Sequence, residues 1–168
     1  MNISTKTLAL GVIALAFGGA QAALVVGLAP FTGSAFGQQS DANAMPAYSQ
    51  AFTAPVGTVL ESITWWGYHG PNSMGAGYDH FVVSLDGVDQ GGSLSVDDSN
   101  PLFSRYTLAF APVALTASTL SIFNDSPDVE WFWQSAASTG SGPHATDVAF
   151  SLTGSANAVP EPSTYALM

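Results

Sequence analysis

Residues 129–134 read VEWFWQ, and this stretch decides the fold class. Apolar side chains occupy its odd positions, with Val129, Trp131 and Trp133. Successive side chains of a β-strand point to opposite faces of a sheet, so both tryptophans lie on one face. We therefore predict a strand whose tryptophan face is buried in a core. Rings exposed for stacking on a ligand are the alternative.

The same kind of run recurs along the chain. Short β-branched and aromatic stretches alternate with clusters of Gly, Pro, Asn, Asp and Ser, and the predicted mature chain shows no capped 3.6-residue apolar period. The predicted strands cover Ala23–Leu28 and residues 48–52, 59–68, 80–85, 92–96, 105–110, Thr119–Asn124, 129–134 and 147–153. Many short strands at this spacing indicate an all-β protein, with one antiparallel β-sandwich or jelly-roll domain.

The predicted strand over residues 59–68 is bulky on both faces. Its alternation sends two sets of side chains in opposite directions, Ile63 and Trp65 on one face and Leu60, Trp66 and Tyr68 on the other. Either both faces of this strand are covered, or one face presents aromatic rings to solvent. Trp66 and Tyr68 are therefore the candidates for rings that stack on a ligand.

The N-terminus has the features of a secretory signal peptide. Lys6 supplies a positive charge, residues 8–17 form an apolar core, and residues 20–22 (AQA) fit a small-x-small cleavage site. The apolar run is too short to span a membrane as a stable helix, and a buried N-terminal helix is the alternative. We predict a signal peptide over residues 1–22 and an extracellular domain over residues 23–155.

Composition restricts the partners of this domain. The 168 residues carry twelve carboxylates against two Lys and Arg side chains, a net charge of −10, and Arg105 is the only one of the two outside the predicted signal peptide. Nucleic acid is excluded as a partner because almost nothing can neutralise its phosphates, and anionic lipid is disfavoured for the same reason. Neutral sugars and divalent cations remain. The sequence has no cysteine, so packing alone must hold the domain together.

A proline-containing segment, residues 156–168, follows the predicted domain. Its motif consists of Val159, Pro160, Glu161, Pro162 and Ser163. This motif resembles the PEP-CTERM sorting signal of Gram-negative bacteria. The resemblance implies processing by an exosortase-type enzyme, and a transmembrane helix with a basic tail after the motif. Only residues 166–168 look like the start of that helix, so we expect membrane attachment only through a C-terminal anchor that is missing here.

The body of the chain also resembles the extracellular β-sandwich often attached to such signals. The resemblance rests on residues 63–70 (ITWWGYHG), 79–87 (DHFVVSLDG), 120–135 (LSIFNDSPDVEWFWQS) and 147–154 (DVAFSLTG), which occur in the expected order. It implies an exported, non-catalytic protein of the cell surface or extracellular matrix. Such a protein would be structural or adhesive in an exopolysaccharide or biofilm matrix. The resemblance supplies no known ligand.

Two other functions are compatible with the aromatic and acidic residues. A carbohydrate-binding module would use Trp66 and Tyr68 as stacking platforms, because flat rings pack on the apolar faces of sugars. A secreted glycosidase would use Glu61 and Glu130, because glycosidases place two carboxyl groups around one bond. Exposed strand carboxylates without a catalytic role are the simpler interpretation of these two glutamates.

Metal binding has two candidate groups. His69, Asp79 and His80 flank a glycine-rich loop and offer ligands for a transition metal, although no fixed spacing such as HExxH is present. Asp97 and Asp98 are the candidates for a structural calcium ion, because carboxylate oxygens suit this hard cation. Aspartate is also an ordinary turn residue. We predict no cofactor, with structural calcium as the alternative.

Overall fold

The computed structural model describes residues 23–44, 47–138 and 142–156. The predicted signal peptide (1–22) and sorting motif (159–163) lie outside these ranges. The described residues form one 3₁₀ turn at Ala76–Tyr78 and twelve β-strands. The strands are β1 (Ala23–Leu28), β2 (Gly37–Gln39), β3 (Ser49–Ala51), β4 (Thr58–His69), β5 (Phe81–Leu85), β6 (Val88–Asp89), β7 (Ser93–Asp97), β8 (Ser104–Ala114), β9 (Thr119–Asn124), β10 (Trp131–Ala137), β11 (Pro143–Val148) and β12 (Phe150–Ala156).

Two antiparallel sheets contain these strands. In the larger sheet β8 pairs with one edge of β4, and β12 and β10 pair with successive parts of the other edge. β1 borders β12, β7 borders β8, and both β2 and β11 pair with β10. The smaller sheet has the order β3-β9-β5-β6. β4 is therefore the central strand of the larger sheet, and it positions the side chains discussed below.

The two sheets face each other across one hydrophobic core, so the predicted all-β antiparallel sandwich is confirmed. Trp65 and Tyr106 of the larger sheet stack with ring centroids 5.5 Å apart, and Phe81 of the smaller sheet meets Trp65 edge-on at 5.5 Å. Trp131 and Trp133 are fully buried, as their odd positions predicted. Large aromatic side chains supply much of the buried apolar area that must stabilise a domain without disulfides.

One irregularity in β4 corrects the predicted orientation of Leu60. The alternation placed Leu60 on the same face as Trp66, but its side chain is fully buried in the core. Against β12 the register shifts between Leu60 and Ser62, which leaves Glu61 as an extra residue in β4. A β-bulge of this kind changes the phase of the alternation on its two sides.

Several strand boundaries differ from the predicted ones. β2 and β6 are only three and two residues long, too short for an alternating pattern to be recognised. β8 continues to Ala114, four residues past its predicted end. The predicted strand over residues 147–153 is the junction of β11 and β12, which are separated by Ala149. The N–H group of Ala149 donates instead to the carbonyl of Gln134, at 2.8 Å, and so interrupts the ladder.

Residues 40–42 close one end of the sandwich. The Asp41 carboxylate is fully buried and accepts the backbone N–H of Trp131, in β10, at 2.7 Å. The next residue, Ala42, donates its N–H to the carbonyl of Asn124, in β9, at 2.9 Å. This short segment therefore ties the larger sheet to the smaller one through buried hydrogen bonds.

Tyr106 places a hydroxyl group inside the core. The residue has no exposed surface, and its Oη makes no hydrogen bond to any of the described residues. Burial raises the pKa of Tyr106 to about 12, the nearby Asp79 carboxylate adds to the rise, and the Ser104 and Trp131 side chains oppose it. The fold therefore favours the neutral phenol over the phenolate.

We expect this group to make the fold sensitive to alkali. The pKa of Tyr106 is about 12 in the folded state, against an ordinary value of 10.0. The neutral phenol therefore stabilises the folded state fully below pH 10, and this stabilisation is lost as the pH rises toward 12. The loss amounts to about 2–3 kcal/mol of unfolding free energy. Tyr106→Phe should remove this part of the alkaline loss and change stability little at pH 7, because the hydroxyl makes no well-formed hydrogen bond with the described residues. Urea unfolding at pH 8 and pH 11.5 measures the difference.

The exposed Tyr78 provides the matched control for this experiment. Tyr78→Phe should retain the alkaline loss of the natural protein. Equal losses in the natural protein and in Tyr106→Phe would contradict the assignment to Tyr106.

Candidate functional site

Rows of hydroxyl side chains cross the outer face of the larger sheet. Directly opposed residues on antiparallel strands project to the same face, so the strand register defines each row. One row runs over β7, β8, β4 and β12, and the next lies two residues along the strands. We call the hydroxyl residues of the two rows the hydroxyl face. It consists of Ser95, Thr107, Thr64 and Ser151, then Ser93, Ser62 and Thr153, with Ala109 of β8 between Ser93 and Ser62. All of these side chains remain at least partly exposed.

The hydroxyl face is polar but carries no charge of its own. Thr64 and Thr107 are joined across the strands by a hydrogen bond of 3.0 Å between their Oγ1 atoms. The residues that alternate with these two, such as Trp65 and Leu108, point into the core. The same strands thus bury one face and present a surface of hydrogen-bond donors and acceptors on the other.

Trp66 lies on this outer face, in the row next to Thr64. Its partly exposed side chain forms a wall of an apolar hollow of about 340 Å³. Leu24, Leu28 and Pro30 line the same hollow, and Leu24 is 68% exposed. Of the two arrangements predicted for this face of β4, the structure shows the one in which aromatic side chains are partly exposed.

Tyr68 occupies a different environment from Trp66. Its ring stacks on Phe132 of β10, with centroids 5.2 Å apart and planes 6° from parallel. Burial raises the pKa of Tyr68, and a hydrogen bond from the backbone of Gly37 opposes this rise. One face of the Tyr68 ring is therefore covered by Phe132, an aromatic residue that sequence reasoning did not select for the site.

Arg105 stands opposite Trp66 in β8 and is paired with Asp97 of β7. Its Nη2 donates to Asp97 Oδ2 at 2.7 Å, and both side chains are exposed to solvent. Hydrogen bonds from Ser99, with the Arg105 guanidinium adding to them, lower the pKa of Asp97. Of the calcium pair Asp97 and Asp98, the first therefore already holds a cationic group of the protein, which opposes binding of a metal cation there.

The predicted histidine group does not form one site. His69 Nε2 lies 2.8 Å from Asp79 Oδ1, which also accepts the Asn124 side-chain amide at 2.8 Å. His80 instead faces Asp125, with 3.1 Å between Nδ1 and Oδ2, and its side chain is 73% exposed. The three residues proposed for a transition metal thus belong to two separate hydrogen-bonded pairs. Among the described residues, no three His, Asp or Glu side chains are grouped to hold a metal ion.

The two candidate glycosidase carboxylates lie far apart. The Glu130 backbone carbonyl accepts the N–H of Gly70, just beyond the end of β4, and Glu61 lies nine residues earlier in that strand. At about 3.3 Å per residue, this corresponds to roughly 25–30 Å. Glycosidases need no more than about 10 Å between their carboxyl groups. The structure therefore does not bring Glu61 and Glu130 around one bond.

The part of the chain that the structure describes holds no helix of sufficient length and apolarity to span a membrane.

Comparison with known proteins identified no relative. No family model, curated protein or solved structure matches the chain.

Proposed function

We propose that this chain is an exported, non-catalytic protein of the cell surface or extracellular matrix that adheres to polysaccharide through the outer face of its larger sheet. The observation that carries the proposal is the presence of Trp66 and the hydroxyl face on the same side of one sheet. Serine and threonine hydroxyls donate and accept hydrogen bonds, as sugar hydroxyls do. A partly exposed indole packs against the apolar face of a sugar ring.

Charge supports a polysaccharide that carries no negative charge. The protein has a net charge of −10, which repels anionic polymers. Arg105, the cation nearest Trp66 in the strand register, is already neutralised by Asp97. A neutral or cationic polymer avoids this repulsion, and an uncharged row of hydroxyl groups suits such a ligand.

Export is supported by the two ends of the sequence. Residues 1–22 have the order of charge, apolar core and cleavage site found in signal peptides. Residues 159–163 resemble a signal processed by an exosortase-type enzyme, which is the partner we propose for delivery to the cell surface or the matrix. A structural or adhesive role in a biofilm matrix combines this delivery with polysaccharide binding.

Sedimentation with insoluble polysaccharide tests the proposal. We expect the full chain to sediment with cellulose, curdlan or chitin in a saturable manner. Trp66→Ala should weaken the apparent affinity about tenfold, because truncation of a central aromatic contact typically costs more than 1 kcal/mol. Protein recovered outside cells of a Gram-negative host should begin at Ala23.

Val88→Ala is the matched control, because Val88 is an exposed apolar residue of the smaller sheet, at 65% exposure. This variant should bind as the natural protein does. Binding that is unchanged in Trp66→Ala, or no binding to the three neutral polymers and to cationic chitosan, would refute adhesion through this face.

A further inference from the structure

A second hollow lies beside β2 and the segment that leads into β10. Its volume is about 430 Å³, which falls in the range of small-ligand sites. Gln39 connects the hollow with the Tyr68–Phe132 pair, because it lines the hollow and pairs with Phe132 across β2 and β10. Glu130, two residues before Phe132, lines another wall. The hollow is therefore lined in part by neighbours of Phe132, one across the sheet and one along the chain.

The Glu130 carboxylate is held in one orientation at this wall. Its Oε2 accepts both the backbone N–H of Asn72, at 3.1 Å, and the Asn72 side-chain amide, at 3.2 Å. The carboxylate lies over Gly70, where the Cβ of any other residue would overlap it. No described residue donates to Oε1. One oxygen of Glu130 is thus fixed by the protein, and the other remains available to a ligand.

The hydrogen-bond donors and acceptors that line the hollow indicate which groups a ligand must carry. Each of its three amides already donates one N–H to a group of the protein, from Gln39 to Asp41, from Asn43 to the Val129 carbonyl and from Asn72 to Glu130. The side-chain oxygens of these three amides accept no hydrogen bond from the described residues, and neither does the exposed Asp128 carboxylate. The second N–H of each amide remains as a donor, but the acceptors are in excess and include the two carboxylates of Glu130 and Asp128.

We propose that this hollow binds a protonated amino-sugar residue of the polysaccharide. An ammonium group supplies three donors and a positive charge, which match amide and carboxylate oxygens. An N-acetylated residue would offer one N–H and no positive charge to the two carboxylates. This inference rests on the proposed polysaccharide adhesion and adds the chemical class of the sugar.

Three β-1,4-linked tetramers that differ only at the sugar C2 position test the proposal, namely those of glucosamine, N-acetylglucosamine and glucose. Isothermal titration of the full chain at pH 6 should show at least about tenfold tighter binding of the glucosamine tetramer. Glu130→Gln keeps the shape and an acceptor for Asn72 while removing the charge. We expect it to weaken glucosamine binding about tenfold and to leave glucose-tetramer binding unchanged. Asp128→Asn, which alters no hydrogen bond described here, should weaken glucosamine binding in the same direction.

Asp89→Asn is the matched control, because it removes one exposed carboxylate from the smaller sheet. It should leave glucosamine affinity unchanged, and a loss equal to that of Glu130→Gln would overturn the proposal in favour of bulk charge. Equal affinities of the natural protein for all three tetramers would also overturn it. So would binding of Ca²⁺ alone that Glu130→Gln abolishes, because the hollow would then be a cation site.

The outcomes separate this inference from the proposed function. Trp66-dependent sedimentation without preference for glucosamine overturns the inference alone. Glucosamine binding that depends on Glu130, without sedimentation on any polymer, supports this site and overturns adhesion through the hydroxyl face.

Discussion

Asp41→Ala should destabilise the fold by about 3–5 kcal/mol, because the buried N–H of Trp131 and the partly buried N–H of Asn43 lose a charged acceptor. The carboxylate accepts the N–H of Trp131 at 2.7 Å and that of Asn43 at 2.8 Å, and Asp41 has no exposed surface. Alanine also leaves the Gln39 side-chain amide without this acceptor. A loss of this size is a large part of the 5–15 kcal/mol typical of a domain. The unfolding free energy in urea at pH 7 measures it.

Asp41→Asn and Asp125→Ala are the controls for this prediction. Asparagine keeps one acceptor oxygen but turns its NH₂ group toward one of the backbone donors. We therefore expect the unfolding free energy of Asp41→Asn to lie between those of the natural protein and Asp41→Ala. Asp125 is exposed and pairs only with exposed His80, so its removal should cost less than about 1 kcal/mol. A loss below 1 kcal/mol in Asp41→Ala would show that water or a shift of the backbone replaces the carboxylate.

Trp133→Phe should cost more than Trp131→Phe, although both tryptophans are fully buried. Trp133 Nε1 donates to the Ala149 carbonyl at 2.8 Å, whereas Trp131 Nε1 has no partner among the described residues. Both replacements remove similar volume, so the difference isolates the hydrogen bond. Phenylalanine at position 133 leaves the buried Ala149 carbonyl without its donor. We therefore expect Trp133→Phe to lower the unfolding free energy by about 1–3 kcal/mol more than Trp131→Phe does.

Alanine at either position gives the scale for this comparison. Trp133→Ala and Trp131→Ala should each cost about 3–5 kcal/mol through loss of buried contacts and creation of a cavity. Urea unfolding at pH 7 compares all four variants. Equal costs for the two phenylalanine variants would mean that the Ala149 carbonyl finds another donor, or that Trp131 Nε1 has one.

Local alternation was enough to predict the sandwich and the burial of its tryptophans. In residues 129–134 each odd position is apolar and the core lies on one side, so period 2 alone identifies the buried face. The orientation of Leu60 was wrong because the bulge at Glu61 depends on the register with β12, which local alternation does not reveal. Asp41 was missed because its partner Trp131 lies 90 residues away.

The candidate site was predictable only in part. Trp66 and Tyr68 were assigned to one face of β4, and the structure places both on the outer face. Their role in glycan binding stays a prediction. The hydroxyl face escaped notice because its members belong to four strands that are distant in sequence. The sequence shows Ser and Thr at alternate positions within single strands. The rows can be recognised only when the registers of β7, β8, β4 and β12 are known.

The position of β12 between β1 and β4 has a mechanical consequence. β12 forms antiparallel ladders along both of its edges, and its described end, Ala156, is still paired with Thr58 of β4. A load that enters at Ala156 and pulls along the strand axis would have to shear the two ladders together, since neither can be peeled away bond by bond. Tension at that end would thus be shared by many hydrogen bonds within the domain.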